Sequence, residues 1–275
     1  MDKYTLLNFY NKRKFKIDIP ICNYCNLNCS ACMFGANTKE LPKQDYDLEQ
    51  FKKDIDHLSQ FKDIIDQVNI LGGEPTLNKN LLEYIKIVKE KISPKSLILI
   101  TNGISLVNNL CLLNKLKQLG VIISISYYPE VITKICNLDQ KLKSLGNSFF
   151  YAESSHGPAF KSKWSAPLTS TTPINTSNLE EFRFNCGYGC LQIWNGYFMA
   201  CGIQFSIPMR NKLFGTNYIE EKGVPIESIK TKEDLVEMQG CKYIPEICKY
   251  CQPGTNKIKW IKHTANKIRK EDYIF

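Results

Sequence analysis

Hydrophobic residues between about positions 16 and 154 follow two periods that alternate along the chain. Short runs rich in Val, Ile, Leu and Phe indicate buried strands, and longer stretches with apolar residues three and four positions apart indicate amphipathic helices. In the first helical stretch, Leu48, Phe51, Ile55 and Leu58 share one face. The predicted strands are FKIDIPIC, DQVNILGG, KSLILITNG, VIISISYY and SFFYAES. The predicted helices between them are DLEQFKKDIDHLSQF, NKNLLEYIKIVKEKI, NLCLLNKLKQLG and EVITKICNLDQKLKSLG.

The helix ends carry residues that are typical of starts and stops. Asn78 is in position to cap the second helix, and Gly120 and Gly146 follow the third and fourth. Alternating strands and helices form parallel strands with right-handed crossovers, and the units here are too few for a closed eight-stranded barrel. We therefore predict an α/β fold, a partial (β/α)6 TIM-like barrel, with its site at the carboxyl ends of the strands.

The alternation stops after Ser154. The next stretch is rich in Ser, Thr and Pro, and six of the twelve cysteines then fall between Cys186 and Cys251. A segment so poor in apolar periodicity needs metal to organise it. The predicted division is a barrel over residues 1–155, a connection over 156–181 and a small Cys-rich domain of β-hairpin and helix over 182–275.

Composition narrows the class of protein. With 275 residues, 43% hydrophobic and 23% charged, the chain is predicted to be globular rather than disordered or fibrous. No secretory signal and no run of about 18 apolar residues occurs, so we expect a cytoplasmic protein without membrane contact. The net charge of +9 suits an anionic substrate or a lysine-rich exterior, and nucleic-acid binding is not expected because no compact stripe interleaves basic and aromatic residues.

Twelve cysteines in a reducing compartment indicate metal binding rather than disulfides. Cys25, Cys29 and Cys32 have the spacing C-x3-C-x2-C directly after the first strand. Such a loop can hold a [4Fe–4S] cluster by three thiolates and leave the fourth iron open. The alternative is a four-thiolate zinc site that includes Cys22, but this would crowd two C-x2-C pairs into one tight loop. We interpret Cys22 as a strand-end residue near the cluster.

The segment CNLNCSAC, followed in the next unit by LGGEPTL, resembles the radical S-adenosylmethionine superfamily. The resemblance implies that Cys25, Cys29 and Cys32 hold the catalytic [4Fe–4S] cluster, whose open iron binds S-adenosylmethionine. It also implies that the GGEP segment, a glycine pair and a carboxylate after the second strand, holds the methionine ammonium. The residues of that segment are Gly72, Gly73, Glu74 and Pro75.

Other pocket positions follow from the same resemblance. Ala31 stands where the family often has an aromatic residue, so Phe34 is the predicted adenine contact. Tyr127 and Tyr128 stand where many relatives carry an aspartate, so no substrate contact is inferred there.

Two further positions end the third and fourth strands. Asn102 and Ser126 are predicted to bind the ribose and carboxylate of S-adenosylmethionine. Thr101 and Ser124, beside them, are interpreted as ordinary strand residues.

The second group of cysteines is similar to the auxiliary-cluster module called the twitch or SPASM-like domain. The dipeptide Asn195-Gly196 predicts a type I′ turn between two short strands. The hairpin would bring the flanking cysteines together, and a later C-x2-C pair would complete a site for a second, auxiliary [4Fe–4S] cluster or for zinc. Its predicted ligands are Cys186, Cys201, Cys248 and Cys251.

Besides Cys22, four cysteines lie outside these ligand sets. Cys190 and Cys241 are candidates for a ligand, a buried core residue or a hydrogen-atom donor, and the sequence leaves the choice open. Cys111 and Cys136, on predicted helices, are expected in the core.

The resemblance implies an oxidoreductase that forms a 5′-deoxyadenosyl radical and abstracts a hydrogen atom from its substrate. The size and cysteine layout are similar to radical dehydrogenases of the 2-deoxy-scyllo-inosamine type, which favours oxidation of a carbohydrate or cyclitol, such as a sugar or nucleotide-linked sugar, with the auxiliary cluster as electron acceptor. The implied electron donor is of the flavodoxin or ferredoxin type. The alternatives are a peptide epimerase or cross-linking maturase and, outside enzymes, a zinc protein that binds nucleic acid.

Overall fold

The computed structural model describes residues 15–274 apart from 37, 39, 127, 129–130, 153–162, 166–167, 175–177, 180, 183–185, 187–190, 240–242, 253–256 and 260–267. The strands are β1 Lys16–Pro20, β2 Gln67–Leu71, β3 Ser96–Thr101, β4 Ile122–Ser126, β5 Phe149–Ala152, β6 Lys163–Ser165, β7 Leu168–Thr169, β8 Gln192–Trp194, β9 Tyr197–Met199, β10 Val224–Pro225, β11 Cys251–Gln252 and β12 Lys257–Lys259. The α-helices are α1 Leu48–Leu58, α2 Leu81–Lys91, α3 Leu110–Gln118, α4 Leu138–Leu145, α5 Ile207–Phe214 and α6 Lys232–Gln239.

One eight-stranded sheet contains most of the strands, in the order β10-β9-β8-β1-β2-β3-β4-β5. Strands β1 to β5 are parallel to their neighbours, and the helices α1 to α4 alternate with them along the chain. Because β5 and β10 occupy opposite edges, the sheet is open. The predicted α/β fold with a partial TIM-like barrel is confirmed. A sixth parallel strand, β8, pairs with β1 rather than following β5.

The helices form where the sequence supplies both an apolar face and a cap. In α1, the Asp47 side chain accepts a hydrogen bond from Gln50 N–H, while Phe51 and Ile55 are buried against the sheet. Gly146 ends α4 in the left-handed conformation, at φ 69°. The cap predicted for the second helix is wrong, because Asn80 occupies the N-cap position and Asn78 points its amide to other groups.

The Asn195-Gly196 turn links β8 to β9, with φ values of 43° and 88° that confirm the predicted type I′ geometry. The hairpin continues the main sheet, since β8 pairs with β1 at Gln192 and Asp18. Its turn is also attached to α1, because the buried Asp54 carboxylate accepts the Gly196 N–H at 2.8 Å. The hairpin therefore shares a sheet with the barrel, and the division of the chain into domains stays a prediction.

The predicted core positions of Cys111 and Cys136 are wrong, because both side chains are exposed. In α3 the buried face consists of Leu113 and Leu116, which leaves Cys111 toward solvent. The helix predicted around Cys136 is interrupted: a 3-10 turn over Ile132–Lys134 precedes α4. None of the helices in the described part of the chain is both long and apolar enough to cross a membrane.

Candidate functional site

A pocket of about 190 Å³ opens at the carboxyl ends of β2, β3 and β4, next to the loop that follows β1. This is the edge at which parallel α/β sheets place ligand sites. Nine of the predicted site residues line it: Cys25, Cys29, Cys32, Phe34, Gly72, Gly73, Glu74, Asn102 and Ser126. Pro75 does not line it, and begins the 3-10 turn Pro75–Leu77 with its side chain buried.

The two glycines after β2 hold the cysteine loop against the sheet. A Cβ on Gly72 would lie 2.3 Å from the carbonyl oxygen of Cys22, and one on Gly73 would lie 2.0 Å from that of Tyr24. Gly73 N–H donates to Cys22 O at 2.8 Å, and Glu74 N–H donates to Tyr24 O at 2.8 Å. The space that the missing side chains leave is thus filled by the backbone of the cysteine loop, and these contacts set the loop's position.

The Glu74 carboxylate joins the ends of two strands. Its Oε1 accepts hydrogen bonds from the Thr76 hydroxyl at 2.5 Å, the Thr101 hydroxyl at 2.6 Å and Thr76 N–H at 3.1 Å. Its Oε2 accepts the Asn102 N–H at 2.8 Å. Burial raises the pKa of Glu74 above its ordinary value, although these hydrogen bonds offset part of the rise. Oε2 keeps acceptor capacity at the pocket wall, where an ammonium could donate to it.

Asn102 connects the end of β3 to the cysteine loop. Its Nδ2 donates to Asn26 Oδ1 at 2.8 Å, and its Oδ1 accepts the Ile104 N–H at 3.0 Å. Thr101 has a role that sequence analysis missed, because its hydroxyl holds Glu74. The signal was available, since polar residues that end neighbouring parallel strands come together at the same edge of a sheet.

The cysteine thiols of the pocket are suited to a cation. Burial raises the pKa of Cys25 to about 12, and it also raises the pKa of Cys32, although the Leu27 N–H donates to Cys25 Sγ at 3.3 Å. Such thiols are protonated at neutral pH until a metal stabilises the thiolate. Cys22 differs, because it is fully buried and its thiol donates to the Glu74 carbonyl at 3.5 Å, as expected of a strand-end residue beside the site.

Aromatic groups close the pocket. Phe34 lines it and packs against Phe205, with ring centroids 5.2 Å apart. Tyr128 also lines the pocket. Burial raises the pKa of its hydroxyl, and the nearby thiols of Cys29, Cys32 and Cys25 raise it further. Sequence analysis assigned Tyr128 no role. Trp194 packs against Phe205 and Tyr46 and does not line the pocket.

The second group of cysteines also comes together. Cys201, Cys248 and Cys251 are buried, and Cys186 is half-buried. Burial raises the pKa of Cys251, and the neighbouring thiols of Cys201, Cys186 and Cys248 raise it further. Cys190 and Cys241 lie outside the described residues.

Neither group of cysteines is arranged as the ligand set of a single metal ion in the described residues. Within the described ranges, no three His, Cys, Asp or Glu side chains are placed to hold a single metal ion. The ligands of an iron–sulfur cluster bind separate irons, so they are spaced more widely than the ligands of a single metal ion. Both groups consist of cysteine thiols, which are the donors that such a cluster takes.

Comparison with known proteins places this geometry in a family. The sequence model of the Radical SAM superfamily matches residues 19–144. The 7,8-dihydro-6-hydroxymethylpterin dimethyltransferase of Methanocaldococcus jannaschii is 34% identical over 104 residues, which cover 38% of this chain and 20% of that protein. The GTP 3',8-cyclase of Desulforamulus reducens is 33% identical over 104 residues, which cover 36% of this chain and 30% of that protein. The chain thus spans less than a third of the length of these relatives.

Solved structures share the fold over more of the chain. BtrN in complex with AdoMet and 2-DOIA has a TM-score of 0.51 at 16% identity, over 87% of this chain and 93% of that chain. The enzyme anSMEcpe with bound AdoMet has a TM-score of 0.52 at 13% identity, over 84% and 82%. At these identities the likeness concerns the fold alone. With its match over residues 19–144, the chain carries a domain of the Radical SAM superfamily, and this family implies a [4Fe–4S] cluster and S-adenosylmethionine as cofactors.

Proposed function

We propose that this radical S-adenosylmethionine enzyme is an oxidoreductase that oxidises an alcohol of a carbohydrate or cyclitol. Cys186, Cys201, Cys248 and Cys251 would hold a second [4Fe–4S] cluster, which would supply an acceptor for one electron from the substrate. An external protein of the flavodoxin or ferredoxin type supplies the electron that starts the reaction.

The observation that carries the proposal is the approach of four cysteines in the C-terminal part of the chain. Cys251 is close enough to Cys186, Cys201 and Cys248 for their thiols to affect its pKa. A radical enzyme that removes a hydrogen atom and then an electron needs an electron acceptor near the pocket, and a second cluster provides one. The likeness to BtrN, which was solved with 2-DOIA, favours a small cyclitol-type substrate over a peptide.

The residues of the pocket have separate tasks in this proposal. Cys25, Cys29 and Cys32 would hold the first cluster, with one iron left for S-adenosylmethionine. Glu74 Oε2, which accepts the Asn102 N–H, would accept a further hydrogen bond from the ammonium of S-adenosylmethionine. Phe34 would contact the adenine, because Ala31 stands where the family often has an aromatic residue. Bound in this pocket, the cofactors would supply the radical chemistry that removes a hydrogen atom from the substrate.

Further pocket residues orient the bound molecules. Asn102 fixes the cysteine loop relative to β3 and presents a polar end to the ribose or carboxylate. Ser126 adds a hydroxyl at the end of β4. Tyr128, beside the thiols, covers the pocket and helps exclude water.

The first experiment is anaerobic reconstitution with iron and sulfide, followed by iron and zinc analysis and by dithionite-dependent cleavage of S-adenosylmethionine. The wild type should hold two clusters. The triple variant Cys25→Ala, Cys29→Ala, Cys32→Ala should keep one cluster and lose all cleavage. Cys22→Ala is the matched control, since it removes a buried thiol of the same loop and should retain both the cluster and cleavage.

The C-terminal site is tested by the double variant Cys186→Ala, Cys251→Ala. It should lose one cluster and still cleave S-adenosylmethionine, but form no oxidised product. A reconstituted wild type that is colourless, binds zinc and does not cleave S-adenosylmethionine would contradict the proposal and support the zinc-protein alternative.

The substrate class is tested by incubation with a panel of cyclitols, aminocyclitols and nucleotide-linked sugars. One 5′-deoxyadenosine per ketone formed is the expected stoichiometry. Turnover of GTP instead would point to the chemistry of the cyclase relatives, and deuterium incorporation into a peptide would point to an epimerase.

A further inference from the structure

Arg210 is the largest of the fully buried side chains, with 1% of its surface exposed. It lies on α5, and its guanidinium donates to three neutral oxygens: the Ser206 hydroxyl at 3.1 Å, the Thr169 hydroxyl at 2.9 Å and the Tyr273 carbonyl at 2.9 Å. These bonds use Nε and Nη1, and no carboxylate of the described residues pairs with the cation. Among the residues that the structure describes, the guanidinium therefore carries a buried positive charge without a carboxylate partner.

The surroundings of Arg210 connect it to both groups of cysteines. Its guanidinium lies 5.0 Å from the centre of the Tyr273 ring, and the Tyr273 hydroxyl accepts the Cys32 N–H at 3.1 Å. Its Nη1 also donates to Thr169, which is paired with Cys251 across the β7–β11 ladder. The positive charge lowers the pKa of both Cys32 and Cys251, against the larger effect of burial. Arg210 thus contacts residues that neighbour both candidate cluster sites.

A buried, unpaired cation is costly to a folded protein. An anion bound nearby offsets part of this cost. Four thiolates outweigh the positive charge of an iron–sulfur core, so a cluster at Cys186, Cys201, Cys248 and Cys251 is anionic, and reduction by one electron makes it more so. A fixed cation in a low-dielectric site stabilises the more negative form most.

We propose that Arg210 is the countercation of the C-terminal cluster and that its charge favours the reduced form, so that the cluster accepts the substrate's electron. The inference rests on the proposed function and deepens it.

In the step concerned, the substrate has already lost a hydrogen atom from its carbinol carbon to the 5′-deoxyadenosyl radical. The remaining substrate radical loses its hydroxyl proton to water and one electron to the cluster, and a carbonyl forms. The electron then leaves to a flavodoxin- or ferredoxin-type protein. Arg210 would act through the cluster rather than by contact with substrate or product. Its role is that of a positioning residue, whose fixed positive charge stabilises the reduced cluster.

The test compares Arg210→Gln with Arg210→Lys in the full chain with both clusters loaded. Gln keeps a hydrogen-bond donor and removes the charge, and Lys keeps the charge. Lys212→Gln is the matched control, because it removes an exposed positive charge from the same helix. The readout is a redox titration followed by electron paramagnetic resonance, with the Cys25→Ala, Cys29→Ala, Cys32→Ala chain used to assign the C-terminal signal, together with iron content.

We expect Arg210→Gln to lower the ratio of reduced to oxidised C-terminal cluster at a fixed potential about tenfold, which is about 59 mV for a one-electron couple. Arg210→Lys and Lys212→Gln should stay close to wild type. Loss of the C-terminal cluster in Arg210→Gln, with retention in Arg210→Lys, would also support the proposal, because it would show that the charge is needed to hold the anion.

Equal potentials and equal iron contents in the Gln and Lys variants would overturn it, whatever their values, since charge would then not be the deciding property. A shift in Lys212→Gln as large as that in Arg210→Gln would overturn it as well. A wild type with only one cluster would instead contradict the proposed function, so the two failures can be told apart.

Discussion

Glu74 accepts four hydrogen bonds although only 1% of its surface is exposed. The donors come from its own 3-10 turn and from the end of β3, so one carboxylate fixes two walls of the pocket. In Glu74→Gln, an amide nitrogen replaces one accepting oxygen and faces donors. We expect a loss of about 1–3 kcal/mol in the free energy of unfolding and weaker binding of S-adenosylmethionine, measured by urea unfolding and equilibrium dialysis.

The control for this variant is Glu83→Gln, an exposed position in the first turn of α2. It should change the free energy of unfolding by less than about 0.5 kcal/mol. Equal effects of the two substitutions would contradict a structural role for the Glu74 hydrogen bonds.

Burial also makes the contribution of Glu74 depend on pH. Its pKa in the folded protein lies above the ordinary value of 4.5, so the folded state binds the proton more tightly than the unfolded state. The associated stability is complete below the unfolded pKa and declines as the pH rises through the folded pKa. The difference in unfolding free energy between wild type and Glu74→Gln should therefore shrink as the pH rises from about 4.5 toward neutrality. A difference that grows over this range would contradict the sign.

Gly73 tests how closely the cysteine loop must approach β2. In Gly73→Ala the new Cβ would be 2.0 Å from Tyr24 O, so the loop must move. We expect loss of iron at the first site and a fall in stability of about 3 kcal/mol or more. Gly215→Ala, where the Cβ meets nothing within 4 Å and only the φ of +66° is strained, should cost about 1–2 kcal/mol and retain iron. Iron retention in Gly73→Ala, measured by metal analysis, would show that the contact is dispensable.

At the scale of elements, the hairpin β8–β9 and the helix α1 are joined through Asp54. Its carboxylate accepts from the Tyr46 hydroxyl, from Gln50 Nε2 at 2.8 Å and from Gly196 N–H at 2.8 Å. This contact holds the C-terminal strands on the barrel, because it lies where the hairpin turn meets the first crossover helix.

Asp54→Asn places an amide group among these donors. We expect a loss of about 2–4 kcal/mol in the free energy of unfolding, since at least one buried donor is left without a partner. Asp56→Asn on the same helix removes only the surface pair with Lys91 and should cost less than about 1 kcal/mol. Chemical denaturation of both variants checks the difference, and a cost for Asp54→Asn as small as that for Asp56→Asn would show that the hairpin is held by other contacts.

At the scale of the whole molecule, the C-terminal segment contacts the first cysteine loop. The Tyr273 hydroxyl accepts the Cys32 N–H across 241 positions of the chain, and the ring is buried. Tyr273→Phe should lower the free energy of unfolding by about 1–2 kcal/mol, because a part-buried N–H loses its acceptor, and should speed iron loss from the first site to a chelator. Tyr197→Phe, a half-buried tyrosine on β9, is the control, and equal chelation rates in the two variants would contradict the coupling.

Much of the barrel could be predicted from local pattern. Each β/α unit buries its own apolar face against its neighbours, so the order of β1 to β5 follows from period and from right-handed crossovers. The same reasoning places Cys25, Glu74 and Asn102 at one edge, since each follows a strand. It failed for Cys111, because a helix interpreted without its neighbours does not show which side faces the sheet.

The sequence by itself determined the family motifs, the type I′ turn and the first five strands, because these depend on neighbours within a few residues. Only the tertiary structure decided that β8 pairs with β1, that Gly72 and Gly73 receive the backbone of the cysteine loop, and that Arg210 contacts neighbours of both cysteine groups. Those features join residues that are from 41 to 241 positions apart. Contacts at such separations arise from the packing of complete elements, which no local period encodes.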